Sequence, residues 1–417
     1  MKKIISTLLC IILLLSLCGC NKGVTTVNLM QGIEPNPSKE YIIDDSNVMY
    51  EGQMKFSIEL FKKSSASSEK GNVLISPLSV YVALAITANG ADNDTYNEMM
   101  NVLGASSDSL NAYIKSYVEN LPQNEKYKLM LANSIWFRDD NKRLNVEPSF
   151  LQTNADYFGA GIYKSPFDDT TVDDINGWIK ENTDGQIEKI IDSISTDTVM
   201  YIFNSLVFDA QWDVLYEEND IKPYKFSCYT GETKSVDMMF SDVSGFISDN
   251  NTRGFIKDYK DGKYSFVALL PDKETDIYSY ISSLSHEKID SILKSREEKK
   301  VYTGIPRFSY DYSINMNEIL KNMGMPTAFN SGFADFSKMA TSTVGNIYIG
   351  DVIHKTHIEV SEKGTKASAA TGVAMTDKMA ISPRDETVIL DRPFVYMIIE
   401  NEHQLPLFIG AVTHIGK

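Results

Sequence analysis

Two runs of this sequence, Leu129 to Phe137 (LMLANSIWF) and Val199 to Phe208 (VMYIFNSLVF), are apolar at successive positions instead of alternate ones. Consecutive side chains of a β-strand point to opposite faces, so strands of this composition need protein packed on both sides. A sheet with one wet face cannot be built from them. The chain has the material for a layered core, with 417 residues of which 43% are hydrophobic.

The layers are helical early in the chain and stranded late. A first helix is expected from Val48 to Lys63, with Met49, Phe56 and Leu60 on one face. A second is punctuated by Ser76 as N-cap, Pro77 at the first helical position and Gly90 at the stop. Its interior, LSVYVALAITAN, is apolar nearly all round and predicts a buried helix. Further helices are expected over Asn93 to Leu103, Asp108 to Asn120, Pro148 to Phe158, Val172 to Thr183 and Asn315 to Met323. Further strands are expected over Tyr264 to Leu270 and Val301 to Tyr312, with a terminal hairpin of Phe394 to Glu400 and Pro406 to Thr413. This order favours an α+β fold over a regular βαβ repeat.

The first residues have the layout of an export signal: basic Lys2 and Lys3, an apolar run from Ile4 to Leu17, then Gly19 and Cys20. The small residue before Cys20 resembles a bacterial lipoprotein signal, with residues 1–19 removed and Cys20 lipidated; the alternative is an ordinary secretory signal. Either places the protein outside the cytoplasm, anchored to the membrane or secreted. Residues 20–46 are polar, carry Pro35 and Pro37, and are expected to form a tether. Residues 47–417 read as one domain without repeats. Loss of Cys10 and Cys18 with the signal leaves Cys228 with no partner if Cys20 is acylated, so stability rests on the core.

A net charge of −16 argues against nucleic acid as a partner. The sequence also lacks the common catalytic signatures. It has five histidines and no HExxH, no nucleophile elbow and no phosphate-binding glycine loop. His354 and His357, three apart in an extended run, fall on opposite faces and make a poor metal pair. No cofactor and no metal is expected.

Between two strands near the C-terminus lies EKGTKASAATGVAMTDKM, residues 362–379, without proline or aromatic residues. At strand period, one face carries Thr365, Ala367, Ala369, Thr371, Val373, Met375 and Asp377. The other carries Lys366, Ser368, Ala370, Gly372, Ala374, Thr376 and Lys378. Such a segment can enter an existing sheet with little steric demand, and every backbone donor is free to pair.

With its upstream strand, this stretch (VIHKTHIEVSEKGTKASAAT) resembles the signature of the serpins. NVLISPLSVYVALAITANGA, LMLANSIWF, FNSLVFDAQW and DRPFVYMIIENEHQLPLFIGAV resemble further serpin segments, in the family's order. The resemblance implies a fold of three sheets and eight or nine helices with an exposed reactive-centre loop. It also implies a monomeric suicide inhibitor that traps a serine protease in a covalent complex when the cleaved loop inserts into the main sheet. Glu362, Gly364, Thr365, Ala367, Ser368, Ala369, Ala370 and Thr371 would be the hinge. The family's spacing from the hinge glycine puts the scissile bond at Lys378–Met379, suited to trypsin-like enzymes without excluding subtilisin-like ones, with Arg384 or the Met375 region as the alternatives. Ser76, Ser79, Asn204 and His354 would form a buried cluster that gates sheet opening. Trp212 would sit with Glu362 where the loop first enters. Two departures stand out: Lys366 where the family has an acid, and Ala210-Gln211 where it has Gly-Lys. A non-inhibitory binding member of the family and an extracellular hydrolase are the alternatives, and the hinge composition speaks against the former.

Overall fold

The computed structural model describes residues 25–37, 46–105, 107–139, 143–366 and 386–416. Among them are nine helices: α1 (Ser46–Ser67), α2 (Pro77–Ala88), α3 (Asn93–Leu103), α4 (Ser107–Asn120), α5 (Pro148–Tyr157), α6 (Asp169–Asn182), α7 (Ile277–Ser282), α8 (His286–Lys294) and α9 (Asn317–Met323). The strands begin with β1 (Val27–Asn28), β2 (Val73–Ile75), β3 (Tyr127–Arg138), β4 (Leu144–Val146), β5 (Gly161–Ser165) and β6 (Met200–Gln211). Next come β7 (Ile221–Ser227), β8 (Thr233–Ser248), β9 (Thr252–Asp258), β10 (Tyr264–Pro271), β11 (Glu297–Pro306) and β12 (Phe308–Asn315). The last are β13 (Ala340–Ser342), β14 (Asp351–Ser361), β15 (Gly364–Thr365), β16 (Glu386–Ile389), β17 (Phe394–Glu400) and β18 (Pro406–Val412).

The strands form three sheets. One has seven strands in the order β1-β5-β3-β6-β15-β14-β12. The second has nine, with β16-β11-β8-β9-β10-β17-β18-β2 as its path and β7 beside β8, and the third pairs β13 with β4. The two apolar runs are β3 and β6, antiparallel neighbours from Tyr127↔Ala210 to Phe137↔Met200. Their alternate residues divide as the pattern requires. Ile135, Phe137, Met200 and Ile202 belong to the main core. Trp136, Tyr201 and Phe203 belong to a second cluster with Ile175 and Ile179 of α6. The fold class is α+β.

Helix α2 is buried at every position, with Ser76 accepting from the Ser79 amide and Pro77 opening the helix. The helix ends at Ala88 with Asn89 as C-cap, so Gly90 stands just past the stop as expected. A Cβ there would lie 2.3 Å from Met339, so the glycine also admits a close approach.

Three expectations differ from the structure. The single strand read over Val301 to Tyr312 is two: β11 pairs with β8 in the nine-stranded sheet, and β12 with β14 in the seven-stranded one. The chain changes sheets at Pro306 and Arg307, where proline has no amide to donate. Helices α7 and α8 were not anticipated, being short. The tether read over residues 20–46 does not hold for residues 25–37. Val27 and Asn28 pair with Lys164 and Tyr163 at the sheet edge. Leu29, Met30 and Ile33 pack against the core, and the Asn36 amide donates to Asp156 at 2.8 Å. A two-residue strand is too short to leave a period in sequence.

Candidate functional site

The seven-stranded sheet forks in its middle. At one end β6 and β14 are parallel neighbours, from Tyr201↔Asp351 to Asn204↔His354. At the other, Gly364 and Thr365 of β15 sit between the same two strands, antiparallel to both, at Gln211/Ser361 and Ala210/Val360. Gly364 and Thr365 therefore occupy one end of the gap between β6 and β14.

The chain is held tightly there. Gly364 has φ +151°, and a Cβ on it would stand 2.0 Å from the Ala210 carbonyl oxygen. Only glycine fits this backbone and this approach. Thr365 faces inward, 2% exposed, with Oγ1 2.5 Å from the Tyr259 hydroxyl. Tyr259 stacks on Trp212 at 4.5 Å between ring centroids. The Trp212 amide donates to Lys363 O at 2.9 Å, and its indole N–H donates to Ser361 O at 2.8 Å. Glu362 pairs with Arg307 at 2.9 Å, and Arg307 also reaches Asp237 at 3.4 Å. Lys257 lies beneath, donating to Val214 O at 3.2 Å and standing 4.5 Å from the Tyr216 ring centre. Burial pushes its ammonium down to about 8.

Lys366, the departure from the family's acid, is half-buried, and its amide donates to Glu359 O at 2.7 Å. Burial lowers its pKa against the opposing pull of Asp209, Glu359 and Asp184. Ala210 and Gln211, the other departure, are the partners of Thr365 and Gly364.

The polar cluster sits at the fork itself. Ser76, Ser79, Asn204 and His354 are all fully buried. The Ser76 amide donates to His354 Nε2 at 3.0 Å. That bond leaves the proton on Nδ1, which donates to Asn204 Oδ1 at 2.6 Å. Ser79 Oγ donates to the same oxygen at 3.1 Å. Burial pushes the imidazole down to about 3, so it is neutral at any ordinary pH. The cluster ties the end of α2 to the last pair joining β6 and β14. Opening the sheet past this point breaks buried hydrogen bonds before new ones can form. His357, three residues on, is on the other face with Nδ1 2.8 Å from Asp311.

Of the residues singled out in the sequence, Ser76, Ser79, Asn204 and His354 meet at the fork. Trp212, Glu362, Gly364 and Thr365 meet around β15. Ala367, Ser368, Ala369, Ala370, Thr371, Lys378, Met379, Arg384 and Cys20 lie outside the described residues. Sequence reasoning missed Tyr259, Arg307 and Lys257. The bend at Pro306-Arg307 was the only local signal among them.

The model of the family Serpin (serine protease inhibitor) matches residues 51–415. The leukocyte elastase inhibitor of Xenopus laevis is 30% identical over 379 residues, covering 86% of this chain and 97% of that protein. Leukocyte elastase inhibitor A of Rattus norvegicus is 29% identical, with the same coverage. The native state of the thermophilic serpin tengpin superposes with a TM-score of 0.88 at 43% identity, covering 94% of this chain and all of that one. The latent state of the same protein gives 0.78 at 42% identity, covering 91% of this chain.

Proposed function

The chain belongs to the serpin family, and from that premise we propose that it is a suicide-substrate inhibitor of extracellular serine proteases. The observation that carries this reading is the seating of Gly364 and Thr365 between β6 and β14, above a fork closed by His354 and Asn204. A target protease attacks the Lys378 carbonyl, the Lys378–Met379 bond breaks, and the Met379 amine leaves. The protease is then held as an acyl ester on Lys378. Freed at one end, the loop continues the insertion that β15 has begun. The protease is carried away from its water-activating geometry before the ester hydrolyses. The energy comes from completing the sheet, and the uncleaved form is held by a kinetic barrier.

The better superposition on a native than on a latent relative supports a resting form with the insertion still to be made. Relatives named as elastase inhibitors support a protease as partner. A lysine before the cut suits a trypsin-like pocket with an acidic base. We also assign the export signal and lipidation of Cys20 as the means of holding the inhibitor at the outer face of a membrane.

The test mixes the chain with trypsin, and separately with subtilisin, followed by denaturing gels and intact mass. The expected result is a band near the summed mass that survives denaturation, with a released peptide beginning at Met379. A peptide beginning at Asp385 moves the bond to Arg384. Cleavage by both enzymes without any stable complex refutes the inhibitory reading.

A further inference from the structure

Lys366 follows directly on β15, and its backbone lies in the left-handed region with φ +39°. That region is unfavourable for a residue with a Cβ, so the position needs something to hold it. One hold is the amide, which donates to Glu359 O at 2.7 Å. The other lies across the sheet.

The strand register brings four charges into line. β15 runs antiparallel to both neighbours, with Thr365 opposite Ala210 of β6 and Val360 of β14. Continuing by one residue brings Lys366 level with Asp209 of β6 and Glu359 of β14. Asp209 is itself paired with Lys128 of β3, and Glu359 with Ser309 of β12. The row therefore reads Lys128, Asp209, Lys366, Glu359, alternating in sign and ending at a neutral serine. Asp184, in the turn after α6, joins it with a carboxylate 2.9 Å from Lys128 Nζ. Asp209, Glu359 and Asp184 all favour the charged form of Lys366 against its partial burial. Thr365 points the other way, to Tyr259.

Opposite charges on neighbouring strands stabilise a sheet, and like charges placed opposite each other weaken it. With no cation between them, Asp209 and Glu359 would face each other across two strand spacings, about 10 Å. That is about the distance at which 0.1 M salt begins to screen them. An acid at position 366, which the family has there, would make three carboxylates in a row.

We propose that Lys366 is a positioning residue for loop insertion, seating β15 between β6 and β14 by completing this row of alternating charge. It stands level with both acids only when Thr365 is opposite Ala210, so the row also sets how far β15 enters in the resting chain. The exchange of the family's acid for lysine is thereby matched by acids on the two flanking strands. This rests on the gap between β6 and β14 being the path of the loop, and the seating itself is read without any protease.

The test follows amide hydrogen exchange at positions 365 and 366 in the full chain, at low salt and at about 0.5 M salt. At low salt, Lys366→Met should lower protection about threefold or more and Lys366→Glu about tenfold or more, while Lys366→Arg keeps it. High salt should shrink both losses, because the row faces solvent. In a chain carrying Asp209→Asn and Glu359→Gln, Lys366→Met should cost nothing, which packing of the lysine stem alone would not produce. Amides of β10 and β17 report that the fold is intact. With trypsin, the stoichiometry of inhibition should rise in the order Lys366→Arg, Lys366→Met, Lys366→Glu. Unchanged protection in Lys366→Glu at low salt overturns the proposal. So does a loss in Lys366→Met that ignores both salt and the neutralised background. Failure of the unmodified chain to trap any protease overturns the inhibitory reading instead, and leaves the exchange result standing.

Discussion

Replacing Thr365 by arginine tests the insertion reading at its first step. Thr365 is 2% exposed, bonded to Tyr259, and paired with Ala210 and Val360. A guanidinium there would enter a site walled by Tyr259 and Trp212, with the Lys257 ammonium 5.4 Å from the Trp212 ring centre. Taking that charge out of water without a paired carboxylate costs about 3 kcal/mol or more. The resting variant escapes this cost by releasing β15 from the gap, so the cost is met at insertion, where about 3 kcal/mol slows the step by about 150-fold. Hydrolysis of the acyl ester occurs on the protease and keeps its rate. A chain whose insertion outruns hydrolysis by less than about a hundredfold therefore becomes a substrate. The assay is the stoichiometry of inhibition against trypsin, read with denaturing gels, and Thr365→Ser as the control that keeps the hydroxyl. The expected result is cleavage at the same bond, loss of the stable complex and a stoichiometry raised at least about tenfold. Trapping by Thr365→Arg at unchanged stoichiometry would refute insertion through this gap.

Three further outcomes follow from the same geometry. His354 has its pKa depressed from 6.5 to about 3, so its contribution to stability is complete above pH 6.5 and falls as the pH drops toward 3. Its share of the slope is about 1.4 kcal/mol per pH unit, so urea unfolding of His354→Gln between pH 4 and 6 should be flatter than wild type by one proton; equal slopes contradict a buried neutral imidazole. Gly364→Ala should expel β15, since φ +151° strains any side chain and the new Cβ meets Ala210 O. With about 1–3 kcal/mol of strain before the clash, the Lys366 amide should lose its protection in hydrogen exchange, and retained protection contradicts the fit. Removing residues 1–37 uncovers β5 and strips Leu29, Met30 and Ile33 from the core. At about 1 kcal/mol for each partly buried side chain, the truncated chain should unfold about 3 kcal/mol more easily in denaturant, whereas an unchanged midpoint would restore the tether reading.

The fork and the hinge were legible to different degrees. β3 and β6 announced themselves because both faces are apolar, and the two core clusters divide their residues at period two. Helix α2 was legible from Ser76 and Pro77, which act on the backbone next to them. The cluster of Ser76, Ser79, Asn204 and His354 was named only through resemblance, because Ser76, Asn204 and His354 share no local spacing. Arg307 was hidden inside what read as one strand, where only Pro306 marked the change of sheet.

By itself the sequence determined what depends on neighbours along the chain: strand and helix periods, caps, the small-residue run from residue 364, and the acidic surface. Only the tertiary structure decided that Thr365 meets Tyr259, that Glu362 meets Arg307, that His354 holds β6 to β14 at the fork, and that residues 25–37 cover a sheet edge. The physical reason is range. Propensity and capping act within a few residues, whereas these contacts join segments whose separation leaves no periodic trace and whose energies exist only after the core has brought them together.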